Sequence, residues 1–495
     1  MEDQMREVVD QAKASFKAGK LKSYEQRCNY LLQIDKFLKE QEQAIRAAQK
    51  ADVGKTHAEV TISEIMVSRA EVTHCLDMMK SWMSPQKVSK PLTFIGDKTY
   101  IQSQPYGVVL LIVPWNYPFY LLFSPLCGAI AAGNCVVIKP SEVSVESEKL
   151  VRENLNKYLP RDCFPVVCGG PKETTALLKQ RFDYIFFTGA TSIGRIVMKA
   201  AAEHITPVTL ELGGKSPTFI HESSDLQCVA NRIIANKAQN AGQACISFDY
   251  LLCTKEIQDK LVVAMVKSIE TFFGDMQSSE SYGRIINERH FDRLVRIKTN
   301  TKGTIAIDCG LDKSELFMGL TVVTDVRDDD DAVLQEEIFG PILAIVPVSG
   351  LQAAIDFINE REKPLAAYVF SKDKSVIREF EENTSSGAMV ANDSIMNMTV
   401  STLPFGGVGE SGIGAYHGKF TFDTFSHKRA IMHRKQAMEA VNMKMRYPPF
   451  SEATTRRLTS LLFKTQDSTN FVSFQGIGMV LLGLVVVVGA LLYRQ

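Results

Sequence analysis

The residues best suited to covalent chemistry lie in the run Asn-Ala-Gly-Gln-Ala-Cys at positions 240–245. Cys245 follows Gly242 and Gln243 in a predicted loop-to-helix turn, where the amides of a helix N-terminus can lower the pKa of a thiol. The chain has ten cysteines, and the others occupy contexts typical of small packed hydrophobic residues. No histidine lies near Cys245 in the sequence, so a cysteine–histidine protease is unsupported, although a partner distant in sequence stays open. Cys245 is the candidate nucleophile, with a packed structural cysteine as the alternative.

Polar side chains also follow several predicted strands. Asn116 lies in the proline-bracketed run Pro-Trp-Asn-Tyr-Pro, directly after the apolar run 107–113. Lys139 and Glu142 follow the run Cys-Val-Val-Ile, and Glu211 follows Val-Thr-Leu. Ligands of open α/β sheets bind outside the carboxyl ends of strands, which makes these positions candidates for a site. Each residue also has a structural interpretation: an amide in a turn, a solvated cation or a carboxylate at a sheet edge.

A glycine-containing segment follows another predicted strand, Tyr-Ile-Phe-Phe, and leads into a helix predicted over 195–203. Glycines between a strand and a helix N-terminus let backbone N–H groups approach a pyrophosphate, whose charge the helix dipole favours. The spacing is not G-x-G-x-x-G, and Arg195-Ile196 stands where a Walker loop requires Lys-Ser/Thr. The candidate phosphate-binding residues are Gly189, Ala190, Thr191, Ser192, Ile193 and Gly194.

The elements that must position these residues follow an α/β pattern. Short apolar runs alternate with helical patterns, which favours parallel strands connected by helices. Strands are predicted at 107–113, 135–138, 165–167 and 184–187, with an apolar helix over 121–132. With 495 residues and 45% hydrophobic content, the chain can form two or three domains with substantial cores.

Charge and composition exclude several classes of protein. The 56 Lys and Arg residues balance 56 Asp and Glu residues, so no basic excess indicates a dominant nucleic-acid-binding surface. The cysteines are too scattered for a disulfide scaffold. Neither a C-x-x-C pair nor an H-E-x-x-H motif is present, which argues against a zinc site. We therefore expect a reduced, intracellular protein with no metal and no nucleic-acid partner.

The two ends of the chain differ in character. Residues 1–22 carry charged side chains without the apolar core of a signal peptide, and their apolar residues recur at the spacing of an amphipathic helix. Residues 471–493 contain no charged residue and are long enough to cross a bilayer as one helix. A buried core helix is the alternative. We expect a tail-anchored protein with a cytosolic body.

A juxtamembrane amphipathic segment is predicted between the body and this anchor, over residues 445–470. Leu458, Leu461 and Leu462 fall on one helical face, and Ser451 is the expected N-cap of the helix. Two interpretations of this helix stay open. It lies on the lipid surface, or it lies across the mouth of the active site.

Taken together, these segments resemble the aldehyde dehydrogenase superfamily. The similarity covers about residues 1–445, and the motifs occur in the order that the family shows. They are Pro-Trp-Asn-Tyr-Pro (114–118), Leu-Glu-Leu-Gly-Gly-Lys-Ser-Pro (210–217), Gly-Gln-Ala-Cys (242–245), Glu-Glu-Ile-Phe-Gly-Pro (336–341), Pro-Phe-Gly-Gly (404–407) and Gly-Glu-Ser-Gly (409–412). The short N-terminus, the TPVTLELGGKSP run and the hydrophobic tail are most similar to the class 3 branch, and within it to membrane-bound fatty aldehyde dehydrogenases.

The resemblance implies a reaction. A family member of this kind oxidises medium- to long-chain aliphatic aldehydes to carboxylic acids, with NAD as cofactor and NADP as an alternative. Cys245 would be the nucleophile, forming a thiohemiacetal and then a thioester, and Glu211 would be the general base for hydrolysis. The Asn116 amide and the Cys245 backbone N–H would donate to the oxyanion. No metal is implied.

The resemblance also implies where the cofactor binds. Lys139 and Glu142 would contact the adenosine ribose region, and residues 189–194 would hold the pyrophosphate. Glu337 would bind the nicotinamide ribose, and Phe339 would pack beside the nicotinamide.

The implied architecture is an α/β fold of the aldehyde dehydrogenase type, with a Rossmann-type coenzyme domain, an α/β catalytic domain and a bridging arm that makes a homodimer. The expected ranges are 1–79 and 105–211 for the coenzyme domain, 212–410 for the catalytic domain, 80–104 and 411–444 for the arm, 445–470 for the juxtamembrane segment and 471–493 for a C-terminal transmembrane helix. The endoplasmic reticulum is the expected membrane, with the peroxisome and the mitochondrial outer membrane as alternatives.

Two other functions stay open at this point. An acylating relative would pass the thioester to coenzyme A, and a catalytically silent protein would use the fold as a membrane-tethered scaffold. Glu211 favours hydrolysis, because a transferase needs no water-activating base. The intact set of catalytic residues argues against the scaffold. Ser247-Phe248 replaces the Ala-Pro common in the class 3 branch, and we expect this pair close to the acyl pocket.

Overall fold

The computed structural model describes residues 1–90, 94, 96–327, 331–437, 439, 443 and 446–462. The chain divides into two compact units, one of residues 1–87 and 100–430 and the other of residues 88–99 and 431–495. The first unit contains two large sheets and all of the predicted site residues.

The described strands are short, and most belong to the two large sheets. In chain order they are β1 (Gln86–Lys87), β2 (Lys98–Pro105), β3 (Val108–Ile112), β4 (Cys135–Lys139), β5 (Tyr184–Thr188), β6 (Val208–Glu211), β7 (Pro217–Ile220), β8 (Tyr250–Cys253), β9 (Thr304–Asp308), β10 (Leu311–Asp312), β11 (Phe317–Met318), β12 (Thr321–Thr324), β13 (Ile342–Pro347), β14 (Ala366–Phe370), β15 (Ala388–Ala391), β16 (Gly412–Ile413) and β17 (Ser426–His433).

Helices connect the strands and also form the N-terminal part of the chain. They are α1 (Glu2–Lys17), α2 (Tyr24–Glu40), α3 (Glu42–Val53), α4 (His57–Val60), α5 (Val67–Trp82), α6 (Tyr120–Ala132), α7 (Val145–Asn154), α8 (Pro171–Leu178), α9 (Thr191–Ala202), α10 (Leu226–Ala238), α11 (Lys255–Phe273), α12 (Glu288–Asn300), α13 (Ala332–Gln335), α14 (Leu351–Asn359), α15 (Lys374–Asn383), α16 (Gly418–Thr424) and α17 (Glu452–Leu462). A π-helix, Thr61–Met66, lies between α4 and α5.

The first large sheet has the order β16-β6-β5-β3-β4. Strands β3 to β6 pair in parallel, and β16 pairs with β6 in the antiparallel direction. Every residue of β3 and β4 is buried, as expected for parallel strands covered on both faces. The strands predicted from the apolar runs 107–113, 135–138 and 184–187 are thus confirmed.

The second large sheet has seven strands in the order β15-β14-β7-β8-β13-β12-β9. All pairs are parallel except that of β9 with β12 at one edge. The chain passes from the first sheet to the second between β6 and β7, at residues 212–216. The carboxyl end of β6 therefore lies at the junction of the two sheets, where Glu211 is its last residue.

Three local predictions need correction. Residues 165–167 do not form a strand, because only Val166 makes an isolated bridge, to Ile138. Helix α9 begins at Thr191 rather than at 195, so part of the predicted phosphate loop is the first helical turn. No helix starts at Cys245, because Ser247 N–H donates to the Ala244 carbonyl and closes a turn there instead.

The N-terminal helix is confirmed as α1, which buries Met5, Val9 and Ala12. The predicted helix before the tail is confirmed as α17, with the Ser451 hydroxyl accepting from the Thr454 N–H at 3.1 Å. The predicted transmembrane range 471–493 lies outside the described residues. Among those that are described, no helix is long and apolar enough to cross a membrane.

The predicted domain boundaries stay predictions. The first large sheet takes four strands from the range 105–211, and its fifth strand, β16, comes from the range predicted as the bridging arm. Gly412 of β16 pairs with Glu211 of β6, so this part of the predicted arm contacts the end of the coenzyme-domain sheet.

Candidate active site

Cys245 lies in a turn that follows a strained stretch of backbone. Asn240 and Ala241 have φ angles of 49° and 51°, in the left-handed region that non-glycine residues seldom adopt. The Asn240 N–H is held by the Glu59 carboxylate at 2.7 Å, and Gln243 is hydrogen-bonded through both side-chain atoms to backbone groups. Such strain persists only where the surroundings over-determine the conformation, which is common at functional sites.

Asn116 and the Cys245 turn are brought together across 127 residues of sequence. The Asn116 side-chain amide donates to the Gln243 carbonyl at 3.1 Å, which leaves its second hydrogen free for another acceptor. The Asn116 carbonyl accepts from the Asn240 amide at 3.0 Å. Two hydrogen bonds therefore tie the loop after β3 to the loop that carries the thiol.

Two carboxylates lie within electrostatic reach of Cys245. Burial and the nearby charges of Glu337 and Glu211 raise the pKa of the thiol, against smaller opposing effects of backbone hydrogen bonds. No helix begins at Cys245, so the expected lowering of this pKa by a helix N-terminus does not apply here. Burial and the two carboxylates disfavour the thiolate. Four predicted residues, Asn116, Glu211, Cys245 and Glu337, nevertheless converge on one region.

Glu211 is almost completely buried at the end of β6, at 2% exposed. Neither of its carboxylate oxygens has a hydrogen-bond partner among the described residues. Burial raises the pKa of Glu211 well above its ordinary value, because the charged form loses its hydration without a compensating donor. A buried carboxyl group with a raised pKa and free oxygens is suited to exchanging a proton with a substrate or a water molecule.

Glu337 lies in a loop that hydrogen bonds from two cationic side chains hold in place. Lys215 donates to the Glu336 carbonyl and to Asp249, both at 2.9 Å, and Arg293 donates to the carbonyls of Glu337 and Ile338. Burial raises the pKa of Glu337 to about 8. These contacts position a carboxyl group that can bind a hydroxyl-bearing ligand.

Glu337 lies directly against the glycines that follow β6. A Cβ atom at Gly213 would come within 2.0 Å of Glu337 Oε2, so only glycine allows this close approach. The other oxygen, Oε1, has no partner among the described residues. A buried acceptor of this kind is available to a ligand hydroxyl.

The predicted phosphate-binding residues surround the N-terminus of α9. Ala190 is the N-cap and supplies no side-chain hydrogen bond, so no capping side chain competes with an anion for the N–H groups of the first turn. Gly194 faces Leu212, and a Cβ there would approach Leu212 Cδ2 to 2.7 Å. Gly189 N–H donates to the Glu211 carbonyl at 3.0 Å, which places this helix beside the strand that carries Glu211.

The remaining members of that segment are placed as follows. Thr191 lies in the first turn and its hydroxyl donates to the Glu410 carbonyl at 3.3 Å. Ser192 and Ile193 are exposed, and Ile193 presents 44% of its surface to solvent.

Lys139 and Glu142 form an ion pair at the carboxyl end of β4. Lys139 Nζ contacts Glu142 Oε2 at 2.8 Å and the Pro140 carbonyl at 2.7 Å. Lys139 is buried, whereas the Glu142 side chain is 41% exposed. Both groups therefore lie at the carboxyl end of β4. This strand belongs to the same sheet as β5, the strand that leads into α9, and the Glu142 side chain is partly exposed to solvent.

Phe339 belongs to an aromatic cluster beside the Glu337 loop. Its ring packs edge-on against Trp115 at 5.4 Å, and Trp115 also contacts His290 at 5.2 Å. Phe339 has a φ angle of 47°, which turns the chain sharply after Glu337. Trp115 immediately precedes Asn116, so the cluster links the amide loop to the loop of Glu337.

Ser247 and Phe248, the two residues that distinguish this chain after the Cys245 motif, are both buried. Phe248 is fully buried, and its ring lies 4.6 Å from that of Tyr368. The Phe248 carbonyl accepts from Lys237 Nζ at 2.7 Å. The pair anchors the chain after Cys245 in the core. Its expected closeness to the acyl pocket stays a prediction.

Sequence reasoning missed several residues that hold the site in place. These residues hold the loops of Asn116, Cys245 and Glu337 by hydrogen bonds to partners that lie between 3 and 124 residues away in the sequence. They are Lys55, Glu64, Asn240, Lys215 and Arg293. Asn240 and Lys215 lie within the runs 240–245 and 210–217, whose patterns do not show these contacts, whereas an isolated lysine such as Lys55 carries no local signal of burial.

No group of three or more His, Cys, Asp or Glu side chains that could hold a metal ion occurs in the part of the chain that the structure describes.

Comparison with known proteins identifies the family. The model of the aldehyde dehydrogenase family matches residues 1–431. The chain is 49% identical over 461 residues to aldehyde dehydrogenase family 3 member B1 of Rattus norvegicus, covering 93% of this chain and 97% of the relative. It is 46% identical over 450 residues to family 3 member A2 of Macaca fascicularis, covering 91% and 92% of the two chains.

Solved structures show the same fold. AldH of Staphylococcus aureus, solved in a substrate-bound state, superimposes with a TM-score of 0.89 at 36% identity, covering 92% of this chain and 98% of the other. A glyceraldehyde-3-phosphate dehydrogenase from Methanocaldococcus jannaschii, complexed with NADP, superimposes with a TM-score of 0.77 at 25% identity, covering 88% and 95%. Because the family model and these relatives match nearly the whole chain, the chain belongs to the aldehyde dehydrogenase family and is an NAD(P)-dependent aldehyde dehydrogenase.

Proposed function

We propose that this dehydrogenase oxidises medium- to long-chain aliphatic aldehydes to carboxylic acids through covalent catalysis at Cys245. The observation that supports the catalytic part is the convergence on Cys245 of the Asn116 amide and of two buried carboxyl groups, Glu211 and Glu337. The apolar range 471–493 supports the preference for aliphatic substrates.

In the first step, the Cys245 thiol adds across the aldehyde C=O group. The sulfur bonds to the carbon as the π bond breaks toward the oxygen, and the thiol proton ends on that oxygen, which gives a thiohemiacetal. The free hydrogen of the Asn116 amide and the Cys245 backbone N–H donate to the oxygen that becomes negative. Loss of one such donor typically costs about 3 kcal/mol of transition-state stabilisation. The Gln243 carbonyl fixes which end of the Asn116 amide faces the thiol, because a carbonyl accepts only from the nitrogen.

The residues around α9 and Glu337 fit a dinucleotide. The open N-terminus of α9 suits a pyrophosphate, Glu337 Oε1 lacks a partner and suits a ribose hydroxyl, and Glu142 lies at a strand end beside them. NAD(P) bound there supplies the hydride acceptor. Phe339 and Trp115 would line the nicotinamide end, and Lys139 would keep Glu142 in position for the adenosine ribose.

Glu211 would activate the water molecule that hydrolyses the Cys245 thioester. Its two oxygens without partners can accept a proton from water, and burial, which raises its pKa, makes it a stronger base than a solvated carboxylate. Hydrolysis to the acid, rather than transfer of the acyl group to coenzyme A, is the outcome that such a base favours.

The tail suggests where the enzyme works. Aliphatic aldehydes partition into lipid at about 0.8 kcal/mol per methylene group, so a protein tethered through residues 471–493 would meet its substrate where the substrate is concentrated. We propose a single-pass C-terminal anchor in the endoplasmic reticulum membrane, with the catalytic body in the cytosol as a homodimer.

The test uses purified full-length protein with hexadecanal and NAD, and follows NADH with and without coenzyme A. We expect NADH and hexadecanoic acid without coenzyme A. NADH formed only when coenzyme A is present would contradict hydrolysis by Glu211 and select the acylating reaction. No NADH under either condition, with hexanal also inert, would contradict the proposed reaction as a whole.

A further inference from the structure

The most completely buried ion pair among the described residues lies beside the catalytic amide rather than within the reacting set. Lys55 and Glu64 side chains are both 0% exposed, with Lys55 Nζ 2.8 Å from Glu64 Oε1. A buried ion pair usually gains little over an apolar pair, because both charges lose their hydration. Its position therefore calls for a reason other than stability alone.

All three hydrogens of the Lys55 ammonium are used. Besides Glu64, the ammonium donates to Gln49 Oε1 at 2.9 Å and to the backbone carbonyl of Asn116 at 2.8 Å. It also lies 4.0 Å from the centre of the Tyr117 ring. The cation thus contacts the loop of the catalytic amide at two successive residues.

Glu64 fastens the other side of the same loop. Its second oxygen, Oε2, accepts from the N–H groups of Phe119 and Tyr120 at 3.1 and 2.9 Å. These groups begin helix α6, whose N-cap Phe119 supplies no side-chain bond of its own. A carboxylate at this point satisfies the free N–H groups and matches the helix dipole.

The pair therefore spans the segment 116–120 like a clamp. Lys55 holds the carbonyl at its start, Glu64 holds the N–H groups at its end, and the two are bonded to each other. Glu64 lies in the π-helix Thr61–Met66, a rare element that is frequent at functional sites. Lys55 follows Gly54, which ends α3 with a φ angle of 67° and turns the chain into the core.

We propose that Lys55 and Glu64 are positioning residues for catalysis, which hold the Asn116 backbone so that its side-chain amide faces the Cys245 site. The proposal rests on the proposed role of Asn116 as an oxyanion donor. The pair touches neither Cys245 nor Glu211 in any contact that the structure describes, so its effect on the reaction passes through Asn116.

The test is a double-mutant cycle on activity. The paired variant Lys55→Met/Glu64→Gln removes both charges together, so no buried charge is left alone. Its single-turnover rate of NADH formation from hexanal, with enzyme in excess over aldehyde and NAD saturating, is compared with that of the wild type. The same comparison is made in an Asn116→Ala background, where the amide is already absent.

We expect the paired variant to lose about 10- to 100-fold in rate in the wild-type background, since a small displacement of a catalytic group has effects of this size. In the Asn116→Ala background we expect the same two substitutions to change the rate less than about threefold, because residues that act through one group are not additive. The dissociation constant of NAD should stay unchanged.

Two outcomes would overturn the proposal. One is a rate equal to that of the wild type in the paired variant, and the other is an equal loss in both backgrounds, which would mean a general structural role. Ile34→Ala is the matched control, because it opens a cavity at a fully buried position of α2 and should lower stability without lowering the rate. Absence of activity in the wild type would instead contradict the proposed function and not the clamp.

Discussion

Glu211 and Glu337 both lie within electrostatic reach of Cys245, and burial shifts the pKa of each of the three groups in the direction that favours its neutral form. Burial therefore disfavours the carboxylate form of both acids and the thiolate form of Cys245. A carbonyl oxygen that approaches the Asn116 amide changes this balance, because the donor stabilises the negative charge that nucleophilic attack creates. The reactivity of the Cys245 thiol therefore depends on an aldehyde bound beside the Asn116 amide.

Replacement of Cys245 by serine tests the nucleophile. Cys245→Ser should reduce turnover by about a thousandfold or more, because a hydroxyl is rarely ionised and forms an ester rather than a thioester. NAD binding, measured by calorimetry, should be unchanged. The matched control is Cys228→Ser, at an exposed cysteine, which should retain full activity. Turnover of Cys245→Ser close to that of the control would show that the covalent assignment is wrong.

Replacement of Glu211 by glutamine separates the two halves of the reaction. Glu211→Gln keeps the shape of the side chain and removes the base, so we expect one rapid burst of NADH per site followed by a stall at the thioester. Rapid-mixing absorbance measures the burst, and mass spectrometry of the quenched protein detects the acyl group. Glu222→Gln, at an exposed position, should turn over normally. A variant without a burst would mean that Glu211 acts before hydride transfer.

At the scale of elements, the site depends on how helices are capped by residues from other helices. Glu64 supplies acceptors to the start of α6, and Glu71 of α5 accepts from the N–H of Gly418, the first residue of α16, at 2.9 Å. Burial raises the pKa of Glu71 to about 7 from an ordinary value of 4.5. Unlike Glu64, Glu71 has no cation as its hydrogen-bond partner among the described contacts, so its charged form is poorly compensated.

This difference predicts a pH dependence of stability. Between pH 4.5 and about 7 the folded protein holds a proton on Glu71 that the unfolded chain has released, so the free energy of unfolding falls as the pH rises. Glu71→Gln removes the titration and keeps an acceptor for the Gly418 N–H. We expect the variant to be more stable than the wild type by up to about 3 kcal/mol at pH 8, with the difference vanishing toward pH 4.5.

Urea unfolding of the two proteins at a series of pH values measures this difference. Glu379→Gln, at an exposed position of α15, is the control and should show the same pH profile as the wild type. A stability difference between Glu71→Gln and the wild type that does not change with pH would contradict the assignment of the titration to Glu71.

At the scale of the whole molecule, the question is whether the tail only locates the enzyme or also selects its substrate. Deletion from Pro449 onward should give a soluble enzyme that still oxidises short aldehydes, because the predicted catalytic residues all precede this point. Its advantage for long-chain aldehydes presented in liposomes should fall, since these substrates partition into lipid. The measurement is kcat/KM against chain length from six to sixteen carbons, with and without liposomes.

A second variant separates the anchor from the helix before it. Replacement of Leu458, Leu461 and Leu462 by serine keeps residues 471–493 and removes the apolar face predicted for α17. If this variant behaves as the wild type, the anchor alone concentrates the substrate. If the truncated and full-length enzymes show the same chain-length profile on liposomes, the tail acts only in targeting, and the proposed preference for fatty aldehydes loses its support.

Much of the architecture and the chemical residues could be predicted from the sequence. The strands β3, β4 and β5 were predictable because strands buried on both faces are continuous apolar runs. Cys245 and Glu211 were identified because each lies within a family motif whose order along the chain can be read directly. These properties are local, and local sequence determines them.

The pKa shifts of those residues and the backbone structure around them depend on the tertiary structure. The raised pKa of the Cys245 thiol depends on Glu337, which is 92 positions away in the chain, and on burial by the rest of the molecule. The start of α9 at Thr191 and the turn at Cys245 follow from hydrogen bonds that short-range patterns do not specify. The Lys55–Glu64 clamp joins residues whose partners lie up to 61 positions away. Desolvation and long-range contacts are sums over all neighbours in space, so only the folded chain determines them.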